Sequence, residues 1–408
     1  MHRFLSLAFL GLVLLPLPSL AQFSWDSSNV GSAFTLNDIV MYSSYGGIAV
    51  GDNGTIARTT DGGLTWTRPA SGTTNQLMAV TFLDSLNGWL AGSQVFMYTT
   101  DGGATWLPPQ WKPMFVADEI AFVSRNVGVA AGGAGQIART TDGGLNWTMA
   151  VSNLQRTLFG IVYLDSDTAI VVGNHEMGRS TDAGLTWNKT LTPPAVIWDV
   201  AALSPQVVVA VGRPTSGSAT VYRSTNAGVS WDTLGIHGVS ELTAVSFCGP
   251  DTGFAAAPTG GVFRTVDGGI TWDSVSGVPW GVGTTSISFF SPRTGLLCGL
   301  AGVVYHATPT VVSVLDPEPL PERPSLYQNY PNPFNPSTTI QFEIPHASSV
   351  SLRVYNPLGQ EVATLLDGDK PAGVHGVRFD GSGLASGLYF YRLQAGDFVA
   401  VKKLLLLR

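Results

Sequence analysis

An eight-residue block that recurs about every 40 residues constrains the fold of this chain more than any other feature. The first copy is TTDGGLTW, which ends at Trp66. Five further copies end at Trp106, Trp147, Trp187, Trp231 and Trp272. Successive closing tryptophans therefore lie 40, 41, 40, 44 and 41 residues apart. A fixed period of about 40 residues is typical of propellers and solenoids, in which each repeat is one supersecondary unit.

Each repeat also predicts four short strands, as in a propeller blade. An apolar strand comes first, a strand of small residues follows, the third strand ends in the block, and the fourth begins at its tryptophan. The first two strands occur seven times, but the seventh repeat stops after His306 without a block. Trp25 lies 41 residues before Trp66 in a segment, SWDS, that resembles TWDS at Trp272. We therefore predict that the Trp25 segment is the outer strand of the last blade and closes the ring.

The composition supports a β-rich chain and excludes some partners. Only 12% of the 408 residues are charged and 48 are glycine, which suits many short, tightly turned strands. The formal net charge of −7 and the lack of a basic run argue against nucleic acid as a partner. Cys248 and Cys298 are interpreted as buried thiols because two cysteines are not a disulfide framework, and their redox state stays open.

Composition changes along the chain divide it into four segments. Residues 1–21 have a short basic start, an apolar stretch and small residues at Ser19 and Ala21, which predicts a signal peptide cleaved after Ala21. Residues 22–308 are the predicted propeller, and the proline-rich residues 309–326 are a predicted linker. Residues 327–408 contain short alternating strands that predict a small Ig-like β-sandwich. No other apolar segment is long enough to span a membrane, so none is expected in the mature chain.

The recurring block resembles the Asp-box, or BNR repeat. Together with the preceding small-residue strands, it makes residues 23–308 similar to the photosystem II stability/assembly factor-like propellers. That resemblance implies an all-β, seven-bladed β-propeller. The role of those proteins in photosystem II assembly is not carried over, because the C-terminal segment points to a bacterium without photosystem II.

Residues 327–408 resemble a type A C-terminal sorting domain of the type IX secretion system. The opening YQNYPNPFNPSTTI at Tyr327 carries the likeness, and VYNPLG at Val354, GLYFYRL at Gly387 and KKLL at Lys402 continue it. The resemblance implies that the partner of this domain is the type IX secretion machinery of a Bacteroidetes-type bacterium. The protein would then pass through the periplasm and be released or displayed on the outer-membrane surface. Whether the domain is cleaved stays open.

The acidic residues of the repeated blocks are expected to serve the fold. A short acidic or amide side chain can bond backbone groups of a tight turn, and the neighbouring glycine permits positive φ. A catalytic site is needed once, whereas this position recurs six times. The predicted structural set is Asp61, Asp101, Asp142, Asp182, Asn226 and Asp267.

A ring of arginines precedes the blocks, eight positions before the tryptophans. Its members are Arg58, Arg139, Arg179, Arg223 and Arg264. Tyr98 and His306 occupy the corresponding positions in blades 2 and 7. The ring is a candidate anion-binding or partner-docking face. The alternative is that each arginine bonds local carbonyls or carboxylates near the turn.

Two further sets are candidate functional residues. Asp38, Glu119 and Asp199 stand at equivalent positions of the innermost strands in blades 1, 3 and 5. They are expected near one mouth of the central channel, as an acid/base pair, as a cation site or simply solvated by channel water. Trp111, Phe115, Trp198 and Trp280 are aromatics expected in connections on the face opposite the Asp-boxes. They are candidates for contacts with proteins or sugars.

These observations favour an exported binding or scaffold propeller that is not an enzyme. The six histidines are not clustered, and we find no His-x-x-x-His pair and no phosphate-binding loop, so no metal or cofactor is predicted. The alternative is a carbohydrate-active hydrolase, sialidase-like or of another Asp-box type. It would use two of Asp38, Glu119 and Asp199, because glycosidases need two carboxyls at a defined separation. The ligand is not identified by the sequence.

Overall fold

A computed structural model describes most of the chain beyond its first 22 residues. The described residues are 23–236, 238–278, 283–309, 323–329, 332, 334, 336–370 and 373–406. The predicted signal peptide and most of the predicted linker lie outside them. The chain forms two compact units, residues 1–310 and 311–408. In the described part of the chain, we find no helix with the length and apolarity needed to cross a membrane.

Seven sheets of the first unit form the blades of a propeller, which confirms the predicted fold class. Blades 1 to 3 contain, from the inner strand outward, β2 (Leu36–Met41), β3 (Gly47–Gly51) and β4 (Thr55–Thr59); β5 (Leu77–Phe82), β6 (Gly88–Gly92) and β7 (Val95–Thr99); and β8 (Ala117–Phe122), β9 (Gly128–Gly132), β10 (Ile137–Thr140) and β11 (Thr148–Met149). Single 3-10 turns span Asp52–Gly54, Gly133–Gly135 and Leu300–Gly302.

Blades 4 to 7 have complete outer strands. They contain β13 (Leu158–Tyr163), β14 (Ala169–Gly173), β15 (Met177–Ser180) and β16 (Thr186–Leu191), with β12 (Val151–Ser152) added at the edge; β17 (Ala195–Ala202), β18 (Val208–Pro214), β19 (Ala219–Ser224) and β20 (Asp232–Ile236); β21 (Ala244–Phe247), β22 (Gly253–Ala256), β23 (Val262–Thr265) and β24 (Asp273–Val275); and β25 (Thr284–Ser291), β26 (Thr294–Gly299), β27 (Val303–Pro309) and β1 (Phe23–Asn29).

The hydrophobic core lies between the blades. Seven clusters of buried side chains occur, one at each junction of neighbouring blades. Trp147 and Trp187 are fully buried where blades 3 and 4 meet the preceding blades. Each Asp-box tryptophan thus packs against the blade before its own, which is why the motif recurs at the blade period.

The Trp25 segment closes the ring. β1 pairs antiparallel with β27 along seven residues, from Phe23 opposite Pro309 to Asn29 opposite Val303. Phe23 and Trp25 are buried in the cluster between blades 6 and 7, together with Phe254 and Phe289. The first described strand therefore completes the blade that contains the last propeller strand, as the spacing of Trp25 predicts.

Blades 1 and 2 depart from the four-strand prediction. Their sheets have three strands, and only single bridges, from Arg58 to Thr67 and from Tyr98 to Leu107, replace the outer strand. Pro108 follows the second bridge at once, and Pro69 comes two residues after the first. A proline has no N–H to donate and ends such pairing. Blade 4 has no proline before Pro193, and its outer strand β16 extends to Leu191.

The second unit is a β-sandwich. One sheet holds β28 (Ser325–Leu326), β29 (Ser337–Ile344) and β32 (Gly373–Asp380), and the other holds β30 (Ser348–Tyr355), β31 (Glu361–Lys370), β33 (Gly387–Ala395) and β34 (Phe398–Leu406). Side chains of both sheets share one core that includes Phe342, Leu352 and Tyr391. The sequence pattern missed β31, because its residues show no clean alternation of burial and include Asp367, Gly368 and Asp369, which are rare in strands.

Candidate functional site

A repeated β-bulge turns two neighbouring side chains of the innermost strands toward the central channel. The register shifts between Leu36 and Asp38 in blade 1, and the equivalent shift occurs at Glu119 and Asp199. A bulge re-aims side chains locally, so two positions per blade contribute instead of one. The bulges lie near the start of each strand, whereas the turn at the strand's other end contacts an Asp-box through Gly62 N and Tyr45 O (2.8 Å). The side chains at these two positions therefore line the mouth of the channel opposite the Asp-boxes.

Asp38 and Asp199 each bridge two blades. Asp38 Oδ1 accepts the N–H of Ile39 at 2.8 Å, and its Oδ2 accepts the N–H of Val80 in blade 2 at 2.8 Å. Ser286 of blade 7 also donates its hydroxyl to Asp38 Oδ1 at 2.8 Å. Both carboxylate oxygens of Asp38 thus hold three blades together at the channel.

Asp199 repeats this arrangement between blades 5 and 6. Its Oδ1 accepts the N–H of Val200 at 2.7 Å and its Oδ2 accepts the N–H of Val245 at 2.7 Å. Carboxylates that accept backbone N–H groups form strong, charge-assisted hydrogen bonds. The two aspartates are therefore committed to the join between blades.

Glu119 differs from the two aspartates. Its Oε1 accepts the N–H of Ile120 at 2.9 Å, but its Oε2 accepts no hydrogen bond from the described residues. The equivalent bond to the next blade is not formed by this longer side chain. Glu119 is therefore the member of the predicted set with an acceptor still available in the channel.

Burial raises the pKa of each of these carboxyls. The pKa of Asp38 rises to about 6 and that of Asp199 to about 7, because burial outweighs the backbone hydrogen bonds that favour the ionised form. The pKa of Glu119 lies well above its ordinary value through burial and through the charges of Asp38 and Asp199. The structure thus brings the three predicted carboxyls within electrostatic reach of one another.

The same mouth contains Asp118 and Phe159, which the sequence analysis did not select, and Trp198, which it placed in a blade connection. Asp118, Phe159 and Trp198 occupy the first bulge position in blades 3, 4 and 5 and line the channel. The rings of Phe159 and Trp198 lie 4.6 Å apart between centroids, and Trp198 Nε1 donates to Glu241 Oε1 at 2.7 Å. Burial raises the pKa of Asp118 to about 6. Comparing the residue directly before each carboxylate position across the repeats could have found Asp118 and Phe159.

The channel mouth opens into a cavity of about 760 Å³. Its lining includes the four carboxyls, the Phe159–Trp198 pair, and apolar strand residues such as Ile120 and Ile161. Within the described ranges, no group of three or more His, Cys, Asp or Glu side chains is arranged to hold a metal ion.

The arginines lie between blades. The Nε of Arg58 donates to the carbonyl of Gly102 in the next Asp-box at 2.7 Å, and Arg139 donates to Ala183 at 2.8 Å. Arg179 and Arg223 make the same bond to Ala227 and Gly268 at 2.9 and 2.8 Å. These contacts favour the local alternative over a free basic face, and anion binding by the remaining guanidinium nitrogens stays a prediction.

Arg264 is the exception in this ring. Its Nε is buried without a hydrogen-bond partner, and burial lowers its pKa. Its neighbour, blade 7, is the blade whose sequence lacks an Asp-box, so the usual acceptor carbonyl is missing there.

The aromatic candidates separate in the structure. Trp198 lies in β17 at the channel mouth, not in a connection. Trp111 is 53% exposed and lies beside the Asp-box of blade 3. Its backbone N–H donates to Leu145 O there, and its backbone carbonyl accepts from Trp147 N. Its expected position on the opposite face is therefore wrong, because the connection after blade 2 runs along the next Asp-box. Phe115 is buried between blades 2 and 3, and Trp280 lies outside the described residues.

Each Asp-box forms one network of short hydrogen bonds. In blade 2, Thr99 Oγ1 donates to Asp101 Oδ1 at 2.8 Å and accepts the N–H of Gly103 at 3.0 Å. Asp101 then accepts the N–H and the hydroxyl of Thr105 at 2.9 and 2.6 Å. Asn226 keeps the pattern in blade 5, since its amide donates to Ser230 Oγ at 2.8 Å.

Comparisons with known proteins agree with both parts of this architecture. Residues 328–407 match the family described as the secretion system C-terminal sorting domain. Residues 17–108 match the family described as photosynthesis system II assembly factor YCF48. Both resemblances inferred from the motifs are confirmed, and the chain is a propeller protein exported by way of a C-terminal sorting domain to the cell surface or beyond. No curated protein is significantly similar in sequence.

Solved propellers share the fold at low sequence identity. A structure of YCF48 bound to D1 peptide is 21% identical with a TM-score of 0.60, and covers 71% of this chain and 99% of that one. YCF48 from Cyanidioschyzon merolae is 19% identical with a TM-score of 0.58, over 71% and 100% of the two chains. The WD40 propeller domain of Doa1 is 11% identical with a TM-score of 0.55, over 71% and 97%. At these identities the likeness establishes the fold alone.

Proposed function

We propose that this protein is a binding or scaffold propeller, carried out of the cell and displayed on its surface or released, and that it is not a hydrolase. The observation that carries the proposal is the commitment of Asp38 and Asp199. Both oxygens of each carboxylate accept backbone N–H groups from two blades. A glycosidase needs a pair of carboxyls free to exchange protons or attack the sugar, and these two are occupied in joining blades.

The likeness to other propellers supports a binding role. The similar YCF48 structure is described as bound to D1 peptide, so a propeller of this fold is known to hold a peptide. The Asp-box side chains are likewise used within their own turns. The channel mouth with Trp198 and the exposed side chain of Trp111 are available for recognition. Trp280 stays a candidate from the sequence alone.

One observation favours the rival hydrolase. The pKa of Glu119 is raised by burial and by neighbouring carboxylates, as in the general acids of glycosidases. A hydrolase would pair Glu119 with a second carboxyl across the channel.

A screen of the purified mature chain separates the two functions. Glycan and peptide arrays report binding, and a panel of chromogenic glycosides reports turnover. We expect binding without turnover, weakened by Trp111→Ala or Trp280→Ala but not by the control Tyr45→Ala, which also removes an exposed aromatic ring. Glycoside turnover that is abolished by Glu119→Gln would contradict the proposal.

Export is tested separately in a host that has a type IX system. We propose that residues 1–21 are a cleaved signal peptide and that residues 327–408 engage the secretion machinery. A chain without residues 327–408 should accumulate in the periplasm with its propeller folded. Its appearance in the medium at the level of the full chain would contradict this assignment.

A further inference from the structure

The channel mouth on blades 3 to 5 combines acidic and aromatic side chains in one place. Asp118 and Glu119 of blade 3 and Asp199 of blade 5 line the same cavity as the ring pair of Phe159 and Trp198. Trp198 is polarised further, because its indole N–H donates to the Glu241 carboxylate at 2.7 Å. Ring faces and carboxylates both attract cations, so the two kinds of group favour the same ligand charge.

The acidic side chains at this mouth are not balanced by basic ones in the described part of the cavity wall. No basic side chain occurs among the described residues that line the cavity. Arg213 Nε lies 4.0 Å from Glu241 Oε1, but its side chain is 55% exposed. The raised pKa values of Asp118, Glu119 and Asp199 agree with carboxyls that have no cationic partner.

An acceptor is also left open inside the cavity. Glu119 Oε2 accepts no hydrogen bond from the described residues, whereas the oxygens of Asp38 and Asp199 are occupied. The cavity of about 760 Å³ is many times the share of one water molecule in the liquid, about 30 Å³. A long side chain ending in a donor therefore fits both the space and the unused acceptor.

We propose that the channel mouth binds the cationic end of a lysine or arginine side chain of a partner protein. The side chain enters from the face opposite the Asp-boxes, places its ammonium or guanidinium group over the Trp198 ring, and donates to Glu119. This inference rests on the proposed binding function and assigns its chemistry to one site.

Selective isotope labelling of the tryptophans makes the site observable in the full mature chain. The indole N–H signal of Trp198 is assigned by its loss in Trp198→Phe. The probes are acetyl-glycyl-lysyl-glycinamide and acetyl-glycyl-arginyl-glycinamide, and the uncharged control is the same peptide with norleucine. We expect a saturable shift of the Trp198 signal with the charged peptides and none with the norleucine peptide.

Substitutions then locate the interaction. Glu119→Gln should weaken binding about tenfold, since hydrogen bonds to charged groups are the strong ones. Trp198→Leu should weaken binding of the charged peptides about threefold through loss of the cation–π contact. Calorimetry measures this variant, because it lacks the indole signal. Asp273→Asn removes the same charge from the exposed outer strand of blade 6 and should leave binding unchanged.

Two results would overturn the inference: an equal shift with the norleucine peptide, or unchanged binding of the charged peptides by Glu119→Gln. If the array still shows binding that depends on Trp111 or Trp280, the proposed function stands while the channel site falls. If the arrays show no ligand and glycosides are turned over, the proposed function itself fails.

Discussion

The propeller uses carboxyl groups in two regions, and the two regions shift their pKa values in opposite directions. At the Asp-box turns, burial raises the pKa of Asp61 and Asp101, but hydrogen bonds from the box threonines outweigh it and the pKa of each is lowered. In the channel, burial prevails and raises the pKa of Asp38 and Asp199. The ionised form of aspartate is therefore favoured at the Asp-box turns, whereas the protonated form is favoured in the channel.

The two groups of carboxyls also differ in how often they occur along the chain. The Asp-box network is rebuilt in six blades because each turn needs it. The channel carboxyls occur in blades 1, 3 and 5 only, with Ala79, Gly160 and Ala244 at the equivalent positions of blades 2, 4 and 6. Repetition indicates a service to the fold. Asp38 and Asp199 repeat one task at the joins between blades, whereas Glu119 accepts no bond from the next blade. Glu119 is therefore the better candidate for function, because perturbed pKa values cluster at functional sites.

The largest expected effect comes from breaking the ring that both regions share. Deleting residues 22–30 removes β1 and takes Phe23 and Trp25 out of the core between blades 6 and 7. Each buried aromatic is worth about 3–5 kcal/mol, so we expect the melting temperature to fall by more than about 10 °C. Differential scanning calorimetry measures the change, and deletion of residues 327–408 is the control. An unchanged propeller transition would show that the ring does not need this strand.

The second prediction tests the Asp-box half of the comparison. Asp101→Ala leaves the N–H and hydroxyl of Thr105 and the hydroxyl of Thr99 without their acceptor, which should cost about 1–3 kcal/mol in unfolding free energy. Asp101→Asn should cost less than about 1 kcal/mol, because Asn226 makes the equivalent bonds in blade 5. Urea unfolding of both variants provides the measurement. Equal losses would mean that the charge, not the hydrogen-bond geometry, matters at the turn.

The third prediction concerns pH and separates the two regions directly. The folded-state pKa of Asp38 is about 6 and that of Asp199 about 7, against an ordinary value of 3.8. Between the ordinary and the raised values, the folded chain therefore binds more protons than the unfolded chain. Their contribution to stability is therefore fully present below about pH 4 and is lost as the pH rises toward 7. The Asp-box groups act oppositely, and their contribution is lost as the pH falls through their lowered pKa values.

Burial and the neighbouring charge of Asp38 raise the pKa of Glu119 well above its ordinary value. Glu119→Gln should therefore reduce the loss of stability that accompanies rising pH and raise the melting temperature at pH 8 by about 2–4 °C for each kcal/mol of relieved charge. The amide oxygen of the glutamine can still accept from Ile120 N. The control Asp273→Asn removes one charge from the exposed outer strand of blade 6 and should leave the melting temperature at pH 8 unchanged. A lower melting temperature at pH 8 in Glu119→Gln would mean that the ionised carboxylate stabilises the channel.

The sequence predicts the repeated features of this molecule much better than the unrepeated ones. The blade period, the closing role of Trp25 and the sorting domain follow from spacing and motifs, because several matching positions support each of them. The β-bulges are not visible in the pattern, so aligning the repeats can single out Phe159 and Asp118 but does not show that both bulge positions face the channel. The incomplete outer strands of blades 1 and 2 could have been expected from Pro69 and Pro108. The position of Trp111 could not, since it depends on the path of a loop.

The smallest expected effect compares two arginines of the same ring. Arg223 Nε donates to Gly268 O at 2.8 Å, whereas Arg264 Nε is buried and unpaired. Methionine keeps much of the apolar stem of arginine. Arg223→Met should therefore cost about 0.5–1.5 kcal/mol, the net value of a hydrogen bond. Arg264→Met removes an N–H that has no acceptor and should leave the unfolding free energy within about 0.5 kcal/mol of the parent, or raise it. Urea unfolding of the two variants side by side measures the difference. Equal losses would mean that the bond to the carbonyl of the next Asp-box adds nothing to the unfolding free energy and that the arginine side chains stabilise the blades by packing alone.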